Sequence, residues 1–257
     1  MKSISTHQFF LEDIFAEGWR AFTAIFAKCA PVVLVFGFIV NLLVETAESR
    51  LGLDALVEAG RLTAIQRLWI SSHIEKAFSF LIFSVAVVAV VKCAERAVTR
   101  REISAAEAVA EGLRRWPRYL WTGFLGGLIV AGLSCLLLIP GLIWAVYYMF
   151  VPYAVSVTSL TGKKALDYSK SLVRDSFLRT IGYFFVVGFA TGVQIYVIGL
   201  LGQAAANLLA PHLPRAALPA VFAAVRAVAQ LPVVFQLSLG TVFFLNTAYL
   251  RRKAPGC

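Results

Sequence analysis

The sequence predicts an all-α integral membrane protein: six transmembrane helices in three hairpins, each hairpin preceded by a cytoplasmic amphipathic helix. Three observations carry this expectation. The first is a stretch of 42 residues, Tyr119 to Leu160, without Asp, Glu, Lys, Arg or His. As one helix it would run about 63 Å at roughly 1.5 Å per residue. A bilayer's hydrocarbon core is about 30 Å thick and is crossed by about 20 apolar residues, so the stretch has the length of two crossings. The second is composition: 60% of the 257 residues are hydrophobic, 15% are charged, and the mean hydropathy is +0.79. A soluble domain carries about 25% charged residues, and the deficit is what a lipid-facing surface leaves behind. The third is the placement of the basic residues, which fall in short segments between apolar runs. That pattern explains a net charge of +10 by membrane topology rather than by nucleic acid binding.

The spans follow in order within a single polytopic domain of residues 1–257. The first covers about 22–44, with Lys28 near its inner end. The second covers about 77–94 and is closed by Lys92 and Glu95. The third (119–139) and fourth (142–160) flank Pro140-Gly141. Proline lacks the N–H that a continuing helix needs and glycine tolerates turn dihedrals, so this pair is expected at the hairpin tip. Pro152 is expected to kink the fourth span. The fifth covers about 181–202. The sixth, about 231–250, is opened by Pro232 and closed by Arg251-Arg252-Lys253. The apolar run 217–229 contains Arg226, whose charge is costly at mid-bilayer. That run is therefore expected as an interfacial helix.

Orientation comes from the basic residues. Eighteen of the 24 Lys and Arg fall in the N-terminal region, the second-to-third connection, the fourth-to-fifth connection and the tail. The excess predicts a cytoplasmic location for both termini and both connections. The N-terminus lacks an uninterrupted apolar core and a small-residue cleavage site, so no cleavable signal peptide is expected. Cys29, Cys93, Cys135 and Cys257 are far apart and unaccompanied by histidine at ligand spacing. Neither a disulfide framework nor a metal site is indicated.

A repeat runs along the chain. Residues 14–26 (IFAEGWRAFTAIF) resemble residues 108–120 (AVAEGLRRWPRYL), and Lys164–Phe177 is a looser third copy. Leu11, Phe15, Gly18 and Phe22, then Ala105, Val109, Gly112 and Trp116, then Leu166, Ser169, Val173 and Phe177, each recur every three or four positions. Such spacing lays one stripe along a helix face.

The segment LLLIPGLIWAVYYMFVPYAVSVTSLTGKKALDYSKSLVRD sets an apolar run, Ile-Pro-Gly and a second run with Tyr and Pro before Gly162, Ala165, Leu166, Ser169 and Leu172. Over about residues 102–190 the chain resembles the membrane domain attached to some bacterial glycerophosphodiester phosphodiesterases and its stand-alone relatives. The resemblance implies a helical fold and an association with the lipid of a bacterial inner membrane. It implies no catalytic residue, because those enzymes owe their chemistry to a separate soluble barrel.

The candidate functional residues are mostly cations. Arg100, Arg101, Arg114, Arg115, Arg118, Lys163, Lys164, Lys170 and Arg174, with Trp116, Tyr119 and Trp121 at the interface, describe a platform for anionic lipid headgroups or a partner. Each cation near an anionic surface contributes on the order of 1 kcal/mol. The same charges would also serve topology alone. Gly123, Gly127 and Ala131, with Gly188 and Gly192, form small-residue ridges that let helices approach closely. They would pack the third and fifth spans together inside one subunit, or join two copies. Gln194 and Gln236 are a candidate polar site if they face each other. Glu45 lies at the outer end of the first span, and His73, Glu75 and Lys76 read as a solvated interfacial cluster. No GxSxG, HExxH or P-loop pattern occurs. The expected function is a non-catalytic inner-membrane scaffold or accessory subunit that uses no cofactor. It would contact anionic lipid, another membrane protein or a second copy. The alternative is a transporter of a small or lipidic substrate through a cleft between the hairpins.

Overall fold

The computed structural model describes residues 11–158, 160–214 and 217–253; Lys2, His7, Arg215 and Cys257 lie outside them. Among the described residues the chain is helical, with no strand. The helices are α1 (Leu11–Leu51), α2 (Leu53–Glu58), α3 (Ala64–Phe78), α4 (Ser84–Val98), α5 (Ala105–Leu136), α6 (Leu138–Tyr147), α7 (Val151–Val157), α8 (Lys163–Arg174), α9 (Phe177–Leu209), α10 (Leu218–Ala229) and α11 (Pro232–Lys253). Six segments are long and apolar enough to cross a membrane: Glu12–Leu51, Ala64–Val98, Ala105–Leu136, Leu138–Val157, Phe177–His212 and Leu218–Arg251.

Four expectations need correction. The first two amphipathic segments are not separate helices but the opening turns of α1 and α5. Nothing between them and the spans satisfies backbone groups better than continued helix, and α5 runs on through Pro117. Only the third copy stands alone as α8, because Ser176 leaves helical geometry at φ −139° and ψ 34°. Second, the hairpin turns at Leu137 (φ −152°, ψ 126°), not at Pro140-Gly141. Pro140 sits in the first turn of α6, where its missing N–H has no intrahelical partner to lose. Gly141 has a different task. A side chain there would overlap Ser134 Oγ and lie 2.8 Å from Ser134 Cα, so glycine lets α6 fold back against α5. Third, Pro152 sits at the start of α7, and the chain breaks at Tyr148–Phe150 just before it, which divides the fourth span in two.

The fourth correction concerns 217–229. This run is not set apart from the bundle; α10 packs along α1 and α9 and leads into α11. Gly37 sits against Ala227 and Gln230, and Gly202 against Val225. Arg226 is tolerated because it pairs with Glu45 at 2.9 Å. Ala223, Ala227 and Ala229 are buried, and such small side chains allow this close approach.

The centre of the bundle is built by α4, α7 and α11. Val88, Val90, Phe150, Ala154, Val242 and Phe243 have no exposed surface. Phe150 lies 5.4 Å and 5.7 Å, ring centre to ring centre, from Phe243 and Phe244. Neighbours approach through small residues: Gly18 against Leu239, Gly112 against the Val85 carbonyl, and Gly240 against Tyr153. Between α3 and α4 the residues Ser79–Phe83 form a π-helical turn. Within it Leu81 O accepts both the Trp116 indole N–H at 2.5 Å and the Ser84 hydroxyl at 3.2 Å. The outward faces are apolar instead: Leu136, Leu138, Ile139, Phe185, Phe189 and Leu201 are all exposed.

Gly141→Val is expected to destabilise the protein by about 1–3 kcal/mol, the range for overpacking a filled contact. Gly127→Val, where nothing lies within 4 Å of the added atom, serves as the control. Thermal unfolding in a maltoside detergent reads the difference, and equal midpoints for the two variants would refute the close-contact role.

Candidate functional site

The basic surface begins with α5. Ser104 caps it: its hydroxyl accepts from the Glu107 N–H at 3.2 Å, while Glu107 Oε2 accepts from the Ser104 N–H at 2.8 Å. This reciprocal pair satisfies two of the open donors at the helix start. A turn further, Glu111 takes Arg114 at 2.6 Å and Arg115 at 3.1 Å. The two arginines then part company. The Arg114 side chain is 69% exposed and that of Arg115 only 15%. Arg115 Nη1 donates to the carbonyls of Val155 at 3.2 Å and Thr158 at 2.5 Å. These close the end of α7, where carbonyls have no helical partner. Arg115 is thus a clamp between helices, not a member of a headgroup platform.

A second set is gathered where α8 meets α5. The Gly162 N–H donates to Thr122 Oγ1 at 2.8 Å, and the Thr122 hydroxyl donates to Arg118 O at 2.7 Å. Gly162 has φ 57° and ψ −136°, a conformation open essentially to glycine alone. The Trp121 indole N lies 3.3 Å from where its side chain would begin. This anchor sets exposed Lys163 and Lys164 beside Trp121, within one helical turn of exposed Arg118. The buried stripe of α8 (Ala165, Leu166, Ser169, Leu172, Val173) seats it on the bundle, with Leu166 against Gly126 and the Ser169 hydroxyl donating to Tyr147 O at 2.7 Å. Lys170 lies half-buried, its ammonium 4.4 Å from the Trp144 ring centre and 5.6 Å from that of Tyr147. It belongs to the seating as well, while Arg174 is exposed.

Arg100 and Arg101 are exposed on the turn between α4 and α5, with Arg100 at φ 55°. They border a cavity of about 310 Å³ with Lys28, Cys93, Glu102 and Ile103. A neighbouring cavity of about 460 Å³ holds Arg96, Glu102, Glu107, Glu111 and Arg114. Carboxylates therefore interrupt this part of the surface. The signal was present in the sequence as Glu111 at i, i+3 and i, i+4 from Arg114 and Arg115.

The remaining candidates are dispersed. A side chain at Gly123 would meet Phe80 of the π-helical turn, but one begun at Gly127, Gly188 or Gly192 would have nothing within 4 Å of its first atom, and Ala131 is exposed. The ridges do not pack the third span on the fifth; α5 lies on α4 and α6, and α9 lies on α10 and α11. Gln194 is exposed and Gln236 half-buried, and no hydrogen bond joins them. His73 is exposed, with Nδ1 2.8 Å from Trp69 O and its ring 4.0 Å from the Trp69 ring. At the far end of α1 the sequence reading missed a network. Glu45 pairs with Arg226, and Arg67 bridges Asp54 at 2.7 Å and Glu48 at 3.9 Å. Those partners stand 181 residues apart for Glu45 and Arg226, and 13 and 19 for Arg67 with Asp54 and Glu48, so no local spacing reveals them.

Helices with apolar outer faces and charged groups gathered toward their ends define a multi-pass, all-helical membrane protein. The chain belongs to the family described as a domain of unknown function (DUF7847), whose model matches residues 6–247. No curated protein and no solved structure matches it.

Proposed function

We propose that the protein is a non-catalytic scaffold or accessory subunit of a bacterial inner membrane, with both termini cytoplasmic. Its basic end would grip anionic phospholipid headgroups and so present the bundle to a partner membrane protein or a second copy. The observation that carries this reading is the pinned surface of Arg118, Lys163 and Lys164 beside Trp121, which the Gly162–Thr122 hydrogen bond holds in one place. Preorganised cations at an interfacial tryptophan match the edge of a bilayer. The aromatic filling of the middle, Phe150, Tyr153, Phe243 and Phe244, favours a scaffold over a transporter. The resemblance of residues 102–190 to a membrane domain without its catalytic barrel fits the same role.

Internal repetition supports it further. The Glu17–Arg20 pair (3.0 Å) and the Glu111–Arg114 pair (2.6 Å) occupy equivalent places in the first two copies. Gly18, Gly112 and Ser169, also equivalent, each sit at a close helix contact, on α11, α4 and the end of α6 respectively. Each copy thus leans on the second span of the unit before it, and the first copy leans on the last. A ring of three units closed in this way suits a rigid body.

The test is native mass spectrometry of the protein released with its surrounding membrane. Wild type is expected to retain several anionic phospholipids or a discrete partner. The variant carrying Gln at 114, 118, 163 and 164 is expected to lose most of them while keeping its helical content. A bare wild-type monomer, or an unchanged lipid count in the variant, would sink the platform.

A further inference from the structure

Arg179 stands in the first turn of α9 with its side chain turned toward α11. Nη2 donates to Thr247 Oγ1 at 3.3 Å, and the guanidinium carbon lies 5.1 Å from the Phe243 ring centre. Nε and Nη1 are fully buried and have no acceptor. Three of the fork's five N–H bonds are therefore idle, and among the described residues no carboxylate pairs with this arginine. One turn along, Tyr183 is only 1% exposed and its hydroxyl also lacks a partner. Its ring lies 4.4 Å from the same Phe243 ring, so the two side chains share that ring in the α9–α11 seam. Thr191 continues this face with an unpaired hydroxyl, but about 12 Å further along at the rise of a helix.

A half-buried cation with shielded, idle donors is unfavourable in a membrane unless something compensates it, and such residues mark ligand sites. The surroundings indicate the ligand's chemistry. The idle groups of Arg179 are pure donors, and the Tyr183 hydroxyl can donate too. Positive charge with several idle donors suits a tetrahedral oxyanion. On the outer side Leu178 and Phe185 are 83% and 72% exposed, so acyl chains can lie beside the seam.

We propose that Arg179 and Tyr183 form a phosphate site in the seam between α9 and α11, filled by the phosphodiester of an anionic phospholipid or by free phosphate. The site is separate from the exposed cations on α5 and α8 and does not rest on their role. An oxyanion here accepts from Nε and Nη1 of Arg179 and from the Tyr183 hydroxyl, and it ties the start of α9 to the end of α11 through Thr247.

The experiment uses the full chain in maltoside detergent, which contains no phosphate. Phosphatidylglycerol and inorganic phosphate are added separately, and thermal midpoint and retained mass are read. Wild type is expected to hold one phosphatidylglycerol tightly and to unfold at a higher temperature with it. Arg179→Lys and Tyr183→Phe, both of which keep their packing volume, are expected to weaken that binding roughly tenfold, as loss of a charge-assisted hydrogen bond does. Arg179→Gln is expected to abolish it. The variant with Gln at 114, 118, 163 and 164 keeps this one lipid, which separates the site from the surface platform. A response to both probes identifies phosphate chemistry as sufficient, and a response to the lipid alone identifies the headgroup as the source. Silence with both probes, or wild-type binding by Arg179→Lys and Tyr183→Phe, overturns the site.

Discussion

Arg115→Gln is expected to destabilise the protein by about 2–3 kcal/mol, the range for leaving the acceptors of a shielded charged donor unsatisfied. Its neighbour Arg114→Gln is expected to change stability by about 0.5 kcal/mol, as exposed ion pairs do. The two residues are adjacent and share the carboxylate of Glu111. Only Arg115 reaches across to the Val155 and Thr158 carbonyls, and it alone joins α5 to the end of α7. Removing it leaves those carbonyls without their donor and Glu111 with Arg114 alone. Arg115→Lys should fall between, since one ammonium cannot reproduce the fork that serves Glu111 and both carbonyls. Denaturant unfolding in detergent micelles measures the series. If Arg114→Gln and Arg115→Gln shift stability equally, the clamp is wrong.

Phe150→Ala is expected to be the other severe change, with a loss of about 3–5 kcal/mol. Phe189→Ala, at a ring that is 68% exposed on α9, is expected to be close to neutral. In a soluble protein both differences would be read as hydrophobicity, but lipid is as apolar as phenylalanine. What remains is packing. Phe150 touches Tyr153, Phe184, Phe243 and Phe244, and an alanine there leaves a hole in the aromatic centre. Thermal unfolding of the two variants in the same detergent distinguishes them. Equal midpoints would mean that the centre is not close-packed.

The membrane class and the six spans were legible because hydrophobic length is a one-dimensional property. The 42 uncharged residues from Tyr119 to Leu160 are far too long for one crossing whatever surrounds them. The hairpin tip was misplaced by a few residues for a related reason. Pro140-Gly141 carries the strongest local turn signal, but proline is also well suited to a first helical turn, and Gly141 serves contact with Ser134 rather than bending. Arg226 misled because its cost at mid-bilayer is set by its partner, and Glu45 is remote in sequence. Among the platform cations, Arg114 and Arg115 are indistinguishable by composition. Which of them faces the end of α7 depends on how α5 is rotated in the bundle.

The sequence by itself determined the helical class, the number of apolar segments and the concentration of basic residues in particular connections. Each of these follows from the energy of moving a residue between water and lipid, which is summed along the chain. Only the tertiary structure decided that α10 stands within the bundle, that Arg115 and Lys170 are structural, and that Arg179 and Tyr183 keep buried polar groups without partners. Those outcomes depend on which helix faces meet, and helix facing is set by packing between segments remote in sequence, where lipid offers no preference for one apolar contact over another.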